Sequence, residues 1–144
     1  MKPTIAQYLA GAGATLMREI APQADAYGRG QIGAIGAILS FAAREADRAV
    51  DTLAREQDAL RALFADAAEV PLADDLRARL REAAGGARAS LRVSDLEREN
   101  AALKALLIEL HEAVEQRADG ADLEARIWAV LNEGADARVV GLGL

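Results

Sequence analysis

The sequence predicts an all-α protein, an up-and-down helical bundle of four to five helices with one long central helix. Three observations carry that expectation. Apolar residues recur at helical spacing from about Ile32 to Phe64. A second stripe, Leu96 to Val114, keeps a 4,3,4,3,4 apolar rhythm. Apolar residues make up 52% of the chain but aromatics only 3%, so any core must be built from alanine, leucine, isoleucine and valine, a helix-bundle palette. At 144 residues the chain has the length of one domain with one core. The expected organisation is a single helical-bundle domain over residues 1–144, ending in an apolar tail at 135–144.

The first helix is expected from Thr4, which can cap it, to about Ile20, with Ile5, Leu9, Ala12, Leu16 and Ile20 on one face and Pro22 as its stop. Ala21 to Arg29 forms a connection. Ile32, Ile35, Leu39, Ala42, Ala46, Val50, Leu53, Gln57, Leu60 and Phe64 then mark the long helix, ended by Pro71. Its two consecutive steps of four around Ala46 and Val50 fit ordinary bundle packing better than a long supercoil. A short helix follows from Ala73 to Ala84. Leu72, Leu76 and Leu80 point inward, the acids Asp74 and Asp75 sit at its start, and Gly85-Gly86 ends it. Ser94 and Glu97 spell a capping box that places the next N-cap at Ser94. Its inner face is Leu96, Asn100, Leu103, Leu107, Leu110 and Val114. The last helix runs from Ala121 to Glu133, carries Leu123, Ile127, Trp128, Val130 and Leu131, and stops at Gly134.

Composition narrows the function. With no cysteine there is no disulfide framework and no thiolate chemistry, which fits a cytoplasmic protein. A net charge of -6 disfavours nucleic acid, whose binding is driven by clustered Lys and Arg. The two apolar stretches, Thr4 to Met17 and Gln31 to Ala43, are too short to span a bilayer, and the first has a glycine-alanine middle rather than the leucine-rich centre of a signal peptide.

Several motifs invite chemistry. Gly28, Gly30 and Gly33 spell G-x-G-x-x-G, but no strand precedes them as a dinucleotide turn requires. Gly30, Gly33, Gly36 and Ala37 read instead as a small-residue face opposed to Ala10 to Ala14, at a cost in helix stability. His111, Glu112 and Glu115 form an H-E-x-x-E on a helix and are the candidate carboxylate-rich metal site. The chain holds one histidine, and Ile108 occupies the position where a helical di-iron pattern needs Glu, so no metal or other cofactor is expected. Gln57 and Asn100 interrupt apolar stripes at core positions. They either fix register, as buried amides do, or line a ligand pocket between helices. Trp128 is either a core plug or an anchor for a partner. Arg88 and Arg92, in the connection before the fourth helix, are suited to an anion or an acidic partner but are read as part of a plain solvated loop. The apolar tail, with Val139, Val140, Leu142 and Leu144, would be a liability left uncovered and points to association.

Leu9, Leu16, Ile20, Ala21 and Pro22, with Arg44-Glu45 downstream, resemble the pattern of an uncharacterised family of small bacterial all-helical proteins. The likeness covers about a third of the chain, and the GQIGAIGAIL stretch departs from it. The resemblance implies an all-helical fold and service beside acyl-CoA dehydrogenases and phosphotransferase-like kinases, with no catalytic residues to carry over. The expected function is accordingly that of a non-enzymatic interaction or accessory protein, self-associating or bound to another protein. The alternative is a binder of a small acyl or aromatic ligand using Gln57, Asn100 and Trp128; the third reading is the metal site.

Overall fold

The computed structural model describes residues 2–139, and every regular element among them is helical. We number the α-helices α1 (Ile5–Thr15), α2 (Ala26–Ala67), α3 (Asp74–Gly85), α4 (Val93–Glu115) and α5 (Ala121–Arg138). The all-α class and the long central helix are as the periodicity predicts. α2 is continuous over 42 residues, about 63 Å at 1.5 Å per residue. The chain forms two compact units that divide α2 between Ala49 and Val50. The residues 140–144 of the predicted apolar tail lie outside the described residues.

The N-terminal unit is a helical hairpin. Thr4 caps α1 in a reciprocal box, its Oγ1 accepting from the Gln7 amide at 3.2 Å while its own amide donates to Gln7 Oε1 at 2.9 Å. The chain leaves α1 through a π-helical turn, Leu16–Ile20, and a 3-10 turn, Ala21–Gln23, that accommodates Pro22. α2 starts earlier than its apolar stripe announces. Asp25 Oδ1 accepts from the Gly28 amide at 2.7 Å, so the connection expected to reach Arg29 is already helical from Ala26. Gly28, Gly30 and Gly33 thus lie within a helix. A Cβ on Gly13 would lie 3.5 Å from Leu39 Cβ, and one on Gly36 would lie 3.2 Å from Met17. Close approach of the two helices uses these two glycines; Cβ atoms on Gly11, Gly30 or Gly33 would meet open space. The expected inward row of α1 is not a buried row, since Ile5 is 71% exposed and Ile20 46%.

The C-terminal unit is a four-helix up-and-down bundle made of the second half of α2 with α3, α4 and α5. Side-chain bonds give the directions. Gln57 meets Leu96 and Arg61 meets Glu99, so α4 runs with α2, whereas Glu56 meets Arg138 and Asp66 meets Arg126, so α5 runs against it. The core holds Leu60, Leu63, Phe64, Leu76, Leu80, Leu103, Leu107, Leu110, Leu123 and Ile127, all essentially without solvent contact. After α2 ends, the carbonyl of Ala68 accepts from Arg77 Nε at 3.1 Å and Arg81 Nη2 at 3.3 Å, placing positive charge where the α2 dipole is negative.

Two boundaries correct the sequence reading. α4 begins at Val93 with Arg92 as its N-cap and no side-chain cap; Ser94 lies inside the helix, and the hydroxyl that engages the Arg92 amide, at 3.1 Å, is that of Ser90. Gly134 does not stop α5, which continues to Arg138. A Cβ there would stand 3.1 Å from Glu56 Oε1, so glycine at this position leaves room for that carboxylate.

Candidate functional site: a polar seam and an uncovered helix face

In the C-terminal unit the polar groups gather on two neighbouring residues of α2. Glu56, whose side chain is only 8% exposed, accepts from Lys104 Nζ at 2.8 Å, Asn100 Nδ2 at 2.6 Å and Arg138 Nη1 at 3.0 Å, with Arg138 Nη2 completing a bidentate pair. Burial alone would raise the Glu56 pKa. The hydrogen bonds from Lys104, Asn100 and Arg138, with the charge of Lys104, outweigh it and hold the carboxyl below its ordinary value. A carboxylate engaged by three side-chain donors is spoken for, and it is a poor general base.

Gln57 is fully buried and uses both ends of its amide. Nε2 donates to Leu96 O at 2.9 Å, and Oε1 accepts from Arg88 Nε at 3.2 Å. Arg88 also donates to Ala54 O at 2.9 Å and to Asp58 Oδ1 at 2.6 Å. The arginine read from sequence as solvated therefore ties the α3–α4 connection onto α2. Asn100, likewise buried, spends its amide nitrogen on Glu56 and leaves Oδ1 without a protein partner. The structure brings Gln57 and Asn100 to the same α2–α4 seam. Trp128 stands elsewhere, beside His111, which lies eleven residues, or about 16 Å, along α4 from Asn100.

Beside Glu56, between α2 and α5, lies a groove of about 270 Å³ whose lining includes Thr52, Arg55, Glu56, Val130, Glu133 and Gly134. It is smaller than the roughly 300 to 1,000 Å³ of ordinary small-molecule sites. Gln57, Asn100 and Trp128 are not among its lining residues.

His111 and Trp128 meet edge to face, ring centroids 5.6 Å apart. Trp128 is half exposed while its neighbour Ile127 is fully buried, so the core plug of α5 is Ile127. His111 Nε2 lies 3.7 Å from Glu115 Oε1. Among the described residues no three His, Asp or Glu side chains are grouped as a metal ion needs.

The N-terminal hairpin presents a different kind of feature. The buried positions among residues 2–49 are Gly13, Ala21, Gly36 and Ala43, all small. Ile5, Tyr8, Met17, Ile20, Tyr27, Ile35, Ile38 and Phe41 are all exposed, Ile38 at 66%. On α2, Gly36 and Leu39 face α1, while Ala34, Ala37, Ile38 and Phe41 lie on the side turned away and Ile35, 47% exposed, lies on the flank beside Leu39. From Gln31 to Ala43 this helix carries no charged side chain on any side. No helix among the described residues is long and apolar enough to cross a membrane. No family model, curated protein or solved structure matches the chain.

Proposed function

We propose that this protein acts by association, with the N-terminal helical hairpin as the docking surface. The carrying observation is the lack of any buried large side chain among residues 2–49 while eight large apolar side chains there face solvent. A helical stretch with no charge on any side is suited to burial all round, and α1 covers only one side of α2. Contiguous exposed apolar surface of this kind marks interaction sites on folded chains. The polar seam supports the same reading from the other direction. Apart from Asn100 Oδ1, its carboxylate, amides and guanidinium groups engage one another or the backbone, which supports a role in packing the bundle rather than in a reaction.

Sedimentation velocity over a wide concentration range, with recovery of co-purifying protein from the native cells, tests this. A species heavier than the monomer or a stoichiometric partner is expected, and Ile38→Glu should diminish either. A chain that stays monomeric at every concentration and carries no partner overturns the proposal.

A further inference from the structure

On the side of α2 that α5 packs against, Thr52, Glu56 and Ala59 follow one another at steps of four and three and line the groove with Gly134 and Ala137. Continued towards the start of the helix, the same steps give Arg48, Glu45, Phe41, Ile38 and Ala34. That row is the side turned away from α1. Exposure falls along it in one direction, for Ile38 is 66% exposed and Phe41 43%, while Glu45, Arg48 and Ala49 are half-buried. Ala46 and Asp47, at the same level on other sides of the helix, are exposed. Cover on the open side therefore increases towards Thr52, the level at which α5 nears its end.

We infer that residues 140–144, Val-Gly-Leu-Gly-Leu, fold back along this row as a strap over the Phe41 end of the docking surface. They lie outside the described residues, and their direction, reach and chemistry are those of such a strap. α5 runs against α2, with Gly134 beside Glu56 and Ala137 lining the groove with Thr52, so a chain leaving Val139 the same way travels towards Phe41. Five extended residues span about 17 Å, the rise of about eleven helical residues, which counted from Thr52 reaches Phe41. Val140, Leu142 and Leu144 alternate with glycine, so an extended strap turns all three to one side. They cover Ala49, the methylene stem of Glu45 and the ring of Phe41. A tethered segment holds an effective concentration on the order of millimolar at its site, so any other occupant has to compete with it. Taken with the hairpin as docking surface, on which this consequence rests, the strap leaves Ala34, Ala37 and Ile38 on offer and must be displaced by a partner that needs Phe41.

The chain contains no cysteine, so cysteine pairs report the strap without background. In the 144-residue chain, Glu45→Cys with Leu142→Cys should close a disulfide within one molecule under mild oxidation at low protein concentration. Asp47→Cys with Leu142→Cys, level with it but on another side of α2, should close several-fold more slowly. Gln31→Cys with Leu142→Cys lies out of reach and should not close. Leu142→Asp with Leu144→Asp should release the strap, raise the binding of an apolar fluorescent dye several-fold and strengthen association several-fold, with no loss of helix by circular dichroism. Equal rates for the Glu45 and Asp47 pairs would show a tethered but undocked segment and overturn the inference. So would disulfides formed only between molecules, which would make a second copy the occupant. If the Glu45 pair closes selectively while the parent and the strap variant both stay monomeric and recover no partner, the strap is upheld and the reading of the hairpin as a docking surface falls.

Discussion

Glu56 draws its three donors from two helices, Asn100 and Lys104 on α4 and Arg138 on α5, so one carboxylate joins α2, α4 and α5. Its pKa is depressed in the folded chain, burial notwithstanding, because its donors favour the charged form. The unfolded state therefore binds the proton more readily. The stability contributed by this group is whole above the ordinary glutamate value of about 4.3 and is lost as pH falls through the lower folded value. Urea melts should show Glu56→Gln costing roughly 1 to 3 kcal/mol at neutral pH, since two cations lose their charged acceptor, and the variant should lose less than the parent on acidification. An equal acid dependence in both would show that Glu56 is not the group responsible. Gln57 makes a comparable argument without charge. Gln57→Leu keeps the apolar stripe but strands Arg88 Nε and the Leu96 carbonyl. It should cost about 1 to 3 kcal/mol and speed proteolysis in the 86–92 connection, measured by limited digestion.

At the scale of elements, the helices were legible where one face is apolar for its whole length. The α4 row predicted from Leu96 to Val114 is buried throughout, and Gln57 and Asn100 stood out because an amide at a core phase must find partners. The boundaries were less legible. The Ser94 box is a local pattern, but the approach to α4 is set by Arg88 reaching back to α2, a contact without local signature. Glu56 carried no signal at all, for it sits beside Asp51 and Arg55, whose 3.1 Å exposed pair is ordinary helix-surface charge. Gly134 was legible as a glycine but not for its reason, which is a carboxylate from another helix. Substitution separates these cases. Gly33→Ala meets open space and should stabilise by about 0.5 to 1 kcal/mol, whereas Gly134→Ala crowds a carboxylate fixed by three donors and should destabilise. Thermal melts that raise the midpoint for both would refute the role given to Gly134.

Over the whole molecule, apolar burial is unevenly shared. The C-terminal unit has a closed core, while among the described residues 2–49 no large side chain is buried, although one helix serves both units. The fragment Val50–Val139 should accordingly unfold cooperatively by itself, and a peptide of residues 2–49 should show little helix when dilute and gain it with concentration, as circular dichroism would report. A fragment 50–139 without a cooperative transition would place the source of stability elsewhere. The order of the elements along the chain has a consequence during synthesis. The hairpin is made before α3, α4 and α5, so its exposed apolar side chains meet the cell while the core that needs those later helices is still incomplete.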